Sequence, residues 1–489
     1  MIRVNNIHLS LDYDDKSVRK AVAQQLRIEE KSIKSCKIFR RSVDARKKDN
    51  IYFLTTVDAE LNINEDKVCK KCGNAQIARK YEYNQMKFGN APSPIVVGAG
   101  PAGLFAALIL ARSGANPILI ERGRDVDRRT ADVNRFWTSG KLDITSNVQF
   151  GEGGAGTFSD GKLNSGTKDI RQRKVLEDFV SHGAPDEILY NAKPHIGTDM
   201  LKGTIKNIRN EIIELGGRVM FETKLVSMAF SDNKLKAITV ETANGDEIIE
   251  TDNVILAIGH SARDTFEMLY DLKLPIEAKP FSVGARIEHL RQKVDKAQYG
   301  RFAGNKKLGS ANYKLSTHLD NGRGVYTFCM CPGGKVVNAS SEENRLCTNG
   351  MSEFARDADN SNSALLVGIN PDDYESDHPL AGMYLQRKLE SKAFVAGGEN
   401  YNAPIQRVDD FLNNRKSTHL GDVKPSIGPN YEFSNLNEIL PEYVCTSMAQ
   451  GIVKMGRMLH GFDDGDAVLT GVESRSSSPV RIMRKTDTL

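Results

Sequence analysis

The sequence predicts an α/β protein built on a doubly wound parallel sheet, with further domains before and after it. Three observations predict this fold class. An apolar strand, residues 95–97, runs into a glycine-rich turn and an apolar helix over residues 104–112. A second apolar strand, residues 117–120, follows that helix directly and completes a βαβ unit. The stretches on either side of this unit carry strand and helix periodicities of their own.

The length and charge of the chain limit the classes of protein it can belong to. Its 489 residues exceed one ordinary core, so two or three domains are expected. The net charge of only +4 argues against a dedicated nucleic-acid or membrane-surface protein. Gly98 and Pro101 interrupt the uncharged stretch 88–111, so no membrane span is expected. The absence of a signal-peptide pattern at the N-terminus and the seven cysteines without disulfide spacing predict a cytoplasmic location.

Residues 1–88 form the first predicted domain. Two prolines stiffen residues 90–94, which we interpret as a linker to the next domain. The patterns before the linker follow the order strand, helix, strand, strand, helix, which predicts a ferredoxin-like domain. They cover residues 2–11, 16–26, 33–43, 51–57 and 65–72.

The glycine-rich turn has the spacing Gly-x-Gly-x-x-Gly at Gly98, Gly100 and Gly103. Gly98 permits a tight turn out of the strand, Gly100 lets the backbone approach a diphosphate, and Gly103 lets the helix pack closely on the sheet. Pro101 and Ala102 open the helix, whose free N–H groups attract phosphate. The turn therefore predicts a diphosphate-binding site.

Glu121 ends the second strand, 18 residues after Gly103. A carboxylate at this place accepts hydrogen bonds from an adenosine ribose and repels a 2′-phosphate. A tight glycine turn without a ligand would not explain the acid. The strand, helix, strand and acid together predict a dinucleotide site in a Rossmann-like domain over residues 93–280.

Three features favour FAD over NAD as the dinucleotide. An apolar strand over residues 254–258 ends in Gly259, where the chain can pass the cofactor again. Strand patterns between residues 219 and 250 match the antiparallel strands that flavoproteins insert into their nucleotide domain. A second glycine-rich loop, around Gly153 and Gly154, exposes N–H groups to a flavin or an anionic substrate. A non-flavin NAD-dependent dehydrogenase is the alternative enzyme.

Seven stretches, spread over nearly the whole chain, match the motifs of one family. The chain resembles the largely uncharacterised FAD-dependent dehydrogenases, or NAD(P)/FAD-dependent oxidoreductases, that are related to glutathione-reductase-type flavoproteins. The matching stretches are residues 98–103, 120–123, 147–163, 284–289, 328–334, 338–342 and 475–481.

This resemblance implies FAD as the cofactor, held by the turn glycines and Glu121. It also implies that Arg122 and Arg129 lie near the cofactor. The backbone at Leu225 would meet the adenine, and Gly259 would close over the cofactor. The resemblance does not name a substrate.

The pattern of the chain after the FAD domain is mixed and indicates a second large domain. Residues 281–473 are expected to form this C-terminal α+β domain, packed over the flavin. Flavoproteins of this type then add a strand and a glycine-rich helix that hold the ribityl chain and the flavin ring. Residues 474–489 read as a truncated return to the FAD domain, so weaker FAD retention than in a full-length relative is expected.

Four side chains are the predicted catalytic candidates. Cys329 and Cys331 share one face of a predicted strand, where a nearby flavin can exchange electrons with a thiol. The alternative is two small buried residues without chemistry. His260 and His289 lie in segments expected near the cofactor and are candidates for acid or base, with hydrogen-bonded structural histidines as the alternative. No metal site is predicted.

These features predict a FAD-dependent oxidoreductase that transfers hydride or electrons between the flavin and a small-molecule substrate. NAD(P)H remains open as electron donor, although the sequence holds no second complete Gly-x-Gly-x-x-Gly unit. The alternative is a flavin-binding or flavin-deficient scaffold that holds RNA through the basic residues 31–48. Phe39 is the lone aromatic in that stretch, so a solvated surface is favoured over nucleic-acid binding.

Overall fold

The computed structural model describes residues 1–79, 82–88, 93–167 and 169–485, and its fold is mixed α/β. The predicted linker, residues 90–94, lies outside the described residues except for its last two. No helix in the described ranges is both long enough and apolar enough to cross a membrane.

The N-terminal part is a four-stranded antiparallel sheet with two connecting helices. Its elements are β1 (Ile2–Leu9), α1 (Asp15–Leu26), β2 (Ile33–Asp44), β3 (Tyr52–Leu61), α2 (Glu65–Lys71) and β4 (Ala75–Ile77). The strands lie in the order β2-β3-β1-β4. Alternate residues of β3 are buried, because one face of the sheet packs on the core that contains Val18, Val22 and Leu26 of α1. The side chain of Asp14 caps α1 by accepting the N–H of Ser17 at 2.8 Å.

The central part combines a four-stranded parallel sheet with a three-stranded antiparallel insertion. Its elements are β5 (Ile95–Val97), α3 (Pro101–Arg112), β6 (Ile118–Ile120), α4 (Val126–Ser139), α5 (Gln172–Ser181), α6 (Thr198–Glu214), β7 (Arg218–Met220), β8 (Lys224–Ser231), β9 (Lys234–Thr242), β10 (Gly245–Glu250), β11 (Val254–Leu256), α7 (Arg263–Asp271) and β12 (Ile276–Ala278). The parallel sheet has the order β11-β5-β6-β7, and β8 to β10 form the insertion.

The strands of the parallel sheet are apolar because both of their faces are covered. Val96 and Leu119 pack in the core that contains the buried side of α3. Val97 and Ile120 point to the other face, where they pack in the core that contains Leu225 of the insertion. A strand buried on both faces has no polar side to show in its sequence. This explains why the strand patterns at residues 95–97 and 117–120 were continuous rather than alternating.

The C-terminal part is a seven-stranded sheet with helices beside it. Its elements are β13 (Phe281–Leu290), α8 (Arg291–Tyr299), β14 (Ser316–His318), β15 (Gly324–Cys331), β16 (Lys335–Asn338), β17 (Thr348–Met351), β18 (Asn360–Ile369), α9 (Ala381–Ala396), β19 (Ala403–Arg407), α10 (Val408–Leu412), β20 (Tyr431–Phe433), α11 (Glu442–Gly456), β21 (Val468–Glu473) and β22 (Val480–Ile482). The sheet order is β14-β15-β18-β13-β21-β19-β20, and β16 pairs with β17 separately. The last strand, β22, pairs with β12, so the chain returns beside the central part.

The N-terminal sheet docks on the central part through Arg41 of β2. Its backbone N–H donates to Tyr190 O at 2.7 Å, and its carbonyl accepts the N–H of Ala192 at 2.8 Å. The guanidinium also donates to Asn191 Oδ1 at 2.9 and 3.1 Å. These bonds occupy part of the edge of β2, which would otherwise be open to another strand.

A buried ion-pair network fixes the segment that follows β21. Glu390 of α9 is fully buried and lies 2.7 Å from Arg263 of α7 and 2.8 Å from Arg475. Ser474 Oγ donates to the same carboxylate at 2.6 Å. Burial raises the pKa of Glu390, but the two guanidinium groups outweigh it and hold the pKa below its ordinary value. The network therefore stays ionised and ties the returning chain to two helices.

Glu390→Ala is expected to lower the free energy of unfolding by about 3–5 kcal/mol, because it removes the buried carboxylate that Arg263 and Arg475 share and leaves them only Glu342 at its edge. Chemical denaturation measures the change. The contribution is present above the unfolded carboxyl pKa of about 4.3 and is lost as the pH falls below it, since the folded pKa is depressed.

Glu375→Ala is the matched control. Glu375 pairs with Lys388 at the surface, where the two side chains are 70% and 51% exposed. Loss of this pair is expected to cost less than about 1 kcal/mol. Equal losses from the two substitutions would contradict the structural role of the buried network.

Candidate functional site

A cavity of about 580 Å³ opens at the carboxyl ends of β5 and β11. The chain runs from β5 through β6 to β7 on one side and then returns to β11 on the other side of β5. Ligands of open α/β sheets bind at such a reversal of strand order, because the loops diverge there and leave a crevice. The volume lies in the range of small-molecule and cofactor sites.

The three turn glycines have different surroundings. Gly98 has a φ of +100°, and a Cβ there would lie 2.5 Å from Ala257 O. A Cβ on Gly103 would lie 1.8 Å from Gly98 O. Both positions exclude a side chain because of the protein itself. A Cβ on Gly100 would meet nothing closer than Gly154 Cα at 3.9 Å, although Gly100 lines the cavity.

This difference is a test of whether the site fits a dinucleotide. Glycine at position 100 leaves space that no protein atom fills, at the N-terminus of α3. The first N–H groups of a helix have no acceptor within the helix, and they attract an anion. Pro101 and Ala102 of this first turn also line the cavity. The residues present therefore fit a diphosphate.

The second glycine-rich loop packs directly on the turn. Gly153 N–H donates to Ala99 O at 2.8 Å, and a Cβ on Gly154 would lie 3.0 Å from Gly100 Cα. Gly154 lines the cavity, as do Ala155 and Gly156. Gly153 does not line the cavity, because a Cβ at this position would point to Thr157 and Ile205 instead.

Glu121 lies at the cavity, and its carboxylate joins three loops. It accepts the N–H of Ala99 at 2.7 Å, of Gly123 at 3.0 Å and of Gly151 at 2.9 Å. A carboxylate has about four acceptor positions, so room remains for a ribose hydroxyl. The sequence predicted only the ligand contact, because Gly151 and Ala99 approach Glu121 through the fold.

The two predicted arginines have different positions. Arg122 lines the cavity, pairs with Asp264 at 3.0 Å, and lies over the ring of Phe150 at 4.4 Å. Arg129 does not line the cavity. It is fully buried and donates to backbone carbonyls, including Asn147 O at 2.8 Å and Val148 O at 3.0 Å. The prediction that Arg129 lies at the cofactor is therefore corrected. Arg129 instead binds backbone carbonyls of the segment that leads into the second glycine-rich loop.

Leu225 and Gly259 both line the cavity. Gly259 has a φ of +67°, which explains glycine at this bend. Sequence reasoning missed several other lining residues, which come from the start of the insertion, from α7 and the residues just before it, and from the returning C-terminal segment. They include Thr223, Lys224, Ser261, Phe266, Ser478, Val480 and Ile482. Thr223 and Lys224 could have been found from their position next to Leu225.

The two candidate histidines separate in the structure. His260 lines the cavity and its Nε2 lies 2.9 Å from Arg475 O. Since a carbonyl only accepts, Nε2 carries the proton and Nδ1 is the free acceptor. Burial, reinforced by the charge of Arg475, lowers the pKa of His260 to about 4. His260 is therefore neutral near pH 7.

His289 lies outside the cavity, which corrects its predicted place near the cofactor. It belongs to β13, is buried, and its Nε2 donates to Phe462 O at 2.8 Å. Burial lowers its pKa. Its contacts are those of a structural histidine.

Cys329 and Cys331 also lie outside the cavity, in a charged cluster at the end of β15. The strand has an irregular register between Phe328 and Cys331, and Cys329 has a φ of +45°. This irregularity corrects the prediction that the two thiols share one face of a regular strand, because it breaks the alternation. Cys331 Sγ donates to Cys329 O at 3.3 Å, and Arg286 Nη2 lies 3.7 Å from Cys331 Sγ.

The surroundings of the two thiols move their pKa values in opposite directions. Interaction with the Cys331 side chain lowers the pKa of Cys329, and the cations of Lys162 and Arg286 lower it further against the effect of burial. The interaction between the two side chains, together with burial, raises the pKa of Cys331. Burial raises the pKa of the neighbouring Glu473 to about 7. The arrangement favours one thiolate, on Cys329.

Comparison with known proteins supports the cofactor. A model described as "FAD-dependent protein, C-terminal domain-like" matches residues 280–476, and an "FAD binding domain" model matches residues 93–132. A domain of unknown function matches residues 1–60. An uncharacterized protein of Clostridium beijerinckii is 47% identical over 489 residues, covering 99% of this chain and 91% of that protein.

The chain belongs to this family of FAD-dependent proteins. Its cofactor is FAD, and the resemblance expected from the sequence is confirmed.

Solved structures similar to this FAD-dependent protein are distant. The flavin-dependent brominase Bmp2 is 13% identical, with 60% of each chain covered and a TM-score of 0.31. OxyS anhydrotetracycline hydroxylase from Streptomyces rimosus is 13% identical, with 59% and 47% covered and a TM-score of 0.26. A flavoprotein/dehydrogenase from Cytophaga hutchinsonii is 17% identical, with 58% of each chain covered and a TM-score of 0.28.

Gly100→Asp is expected to weaken FAD binding by at least about 100-fold, because it adds a side chain and a negative charge where the diphosphate fits. The fold is expected to persist, since a Cβ at this position meets no protein atom closer than 3.9 Å. Flavin fluorescence during titration of the cofactor-free protein measures the affinity.

Gly203→Asp makes the same chemical change on an exposed part of α6, where no atom lies within 4 Å of the new Cβ. FAD affinity is expected to stay unchanged in this control. Equal affinities of the two variants would show that the cofactor does not use the turn.

Cys329 is expected to react with iodoacetamide at a rate that is already high near pH 6 and rises little towards about pH 9, because a thiolate is the nucleophile. Mass spectrometry of the labelled protein measures the rate. Lys162→Met is expected to shift the rise to higher pH, since it removes a cation beside the thiol.

Cys347 is the internal control for this labelling. It is buried, and burial raises its pKa to about 12, so it should remain unmodified. A rate at Cys329 that climbs through the whole range, like that of a free thiol, would contradict the lowered pKa.

Proposed function

We propose that this protein is an oxidoreductase in which FAD exchanges hydride or electrons with a small-molecule substrate. One observation carries the proposal. The glycine turn, the second glycine-rich loop and Glu121 converge on one cavity, in which Gly100 leaves space at a helix N-terminus. The chain belongs to a family of FAD-dependent proteins, and a glycine turn at a helix N-terminus suits the diphosphate of a dinucleotide.

The proposal also divides the chain into three domains and a returning segment. Residues 1–88 are a ferredoxin-like domain, which the strand order β2-β3-β1-β4 supports. Residues 93–280 are a Rossmann-like FAD domain, and residues 281–473 are an α+β domain beside it. Residues from 474 onward return to the FAD domain, which the pairing of β22 with β12 supports.

Particular residues of the cavity would hold FAD. The N–H groups at the start of α3 would face the diphosphate, and Glu121 would accept from the adenosine ribose. The backbone at Leu225 would lie beside the adenine. The bound cofactor supplies the hydride or electron chemistry, which protein side chains lack.

The chain's own residues shape the rest of the site. Phe266, Val480 and Ile482 give part of the wall an apolar surface, which keeps water away from the cofactor. His260 is a hydrogen-bond acceptor through Nδ1 near pH 7. Asp264 holds both Arg122 and Lys224, the latter at 2.8 Å, so these cations keep fixed positions at the cavity.

Anaerobic reduction of the FAD-loaded protein tests the proposal. The visible flavin absorption is expected to bleach with NADH, NADPH or one member of a panel of small-molecule reductants, and to return on addition of an electron acceptor. Dithionite serves as the control that the bound flavin is reducible.

Two outcomes would overturn parts of the proposal. If the protein binds no flavin on reconstitution, the proposed cofactor site is wrong. A bound flavin that dithionite bleaches but no biological reductant does would favour a flavin-holding scaffold without turnover.

A further inference from the structure

A second cavity, of about 570 Å³, lies where the three parts of the chain meet, and we call it the junction cavity. The N-terminal sheet contributes Arg41, and the central part contributes Lys193 and His195. The C-terminal part contributes eight residues between 298 and 312, together with Phe354 and Arg356. No lining residue is shared with the cofactor cavity.

The lining of the junction cavity is strongly basic. It holds five lysine or arginine side chains but one carboxylate, Glu187. Glu187 Oε2 lies 3.9 Å from Arg41 Nη2. Positive charges gathered in a concave space focus the electrostatic potential and attract anions. The five cations are Arg41, Lys193, Lys306, Lys307 and Arg356.

Three of these cations have no ionic partner. Across the described ranges, neither Lys193 nor Lys306 nor Lys307 forms an ion pair. The Lys193 ammonium donates to the neutral amide of Asn312. Burial and the charge of Arg356 lower the pKa of both Lys193 and His195. The positive charge of these three lysines is therefore not balanced by an ion pair, whereas the two arginines each face a carboxylate.

The two arginines are held in place. Arg356 donates to Asp160 through Nε at 2.8 Å and through Nη2, and Asp160 lies four residues beyond Gly156 of the cofactor cavity. Asn191 holds Arg41 at 2.9 Å. Guanidinium groups fixed in this way lose little side-chain entropy when they meet phosphate or carboxylate.

We infer that the junction cavity binds a compact polyanion, a small molecule with two or more phosphate or carboxylate groups. Its cations converge from three parts of the chain on one half-open cavity, whereas a single-stranded nucleic acid needs exposed aromatic side chains on which its bases stack. Phe53 and Tyr299 of the lining are buried, and Phe354 stacks on His195 with ring centres 5.2 Å apart. The inference does not depend on the reaction at the flavin.

Isothermal titration calorimetry of the FAD-loaded protein tests this inference, with inorganic pyrophosphate and citrate as separate probes. Loading with FAD keeps pyrophosphate out of the cofactor cavity. At least one probe is expected to bind, more weakly as salt is added, since the interaction is ionic. The probe that binds identifies phosphate or carboxylate as the preferred group.

The double variant Lys306→Gln, Lys307→Gln is expected to weaken binding at least about tenfold, because it removes two unpaired cations from the lining. Lys234→Gln, Lys236→Gln is the matched control. It makes the same charge change on exposed residues of β9 that do not line the cavity, and it should leave binding unchanged. The flavin absorption of each sample shows separately whether the cofactor site is intact.

Three results would overturn the inference. The first is that neither probe binds to the FAD-loaded protein. The second is that binding weakens equally in the two double variants, which would indicate a diffuse effect of net charge. A single-stranded RNA oligonucleotide that binds where both small probes fail, and is lost in the Lys306, Lys307 variant, would assign this surface to nucleic acid.

Discussion

The Glu121 carboxylate is the interaction on which the cofactor cavity depends. It accepts N–H groups from the glycine turn, from the chain after β6 and from the second glycine-rich loop. Bonds from N–H groups to a buried carboxylate are stronger than neutral ones, and loss of the acceptor would leave three buried donors unpaired. Through these bonds one side chain sets the distance between the two loops whose glycines form the cavity. The proposed binding of a ribose would come in addition to this structural role.

The remaining walls follow from the strand order and from a buried network of charges. Because β11 lies on the far side of β5, the loop around Gly259 faces the glycine turn across the crevice. Glu390 then anchors Ser474 and Arg475, and the Arg475 carbonyl accepts from His260. The segment with Ser478 and Val480 is thus brought to the same cavity. Two helices of different parts of the chain hold it there.

Short-range patterns described the elements well where local physics decides them. The helix expected over residues 16–26 is Asp15–Leu26, because its apolar spacing and the Asp14 cap act within a few residues. The strands around the glycine turn also lie within one residue of expectation. The strand pairing of the C-terminal sheet could not be predicted from the sequence, because β13 pairs with β18 and β21, which both lie far away in the chain. The irregular backbone at Cys329 and the burial of His289 against Phe462 depend on those distant pairings.

The structural requirements on residues 98–121 arise within one βαβ unit. They are the positive φ at Gly98, the close contact of Gly103 with Gly98 and the acid at the end of the strand. Such requirements leave a recognisable spacing in the sequence, which by itself predicts a dinucleotide site here. The convergence of Gly151 on Glu121, of Asp264 on Lys224 and of three parts of the chain on the junction cavity left no such spacing. Each of these contacts joins residues far apart in the chain, and their meeting is set by how sheets and helices pack rather than by any local preference.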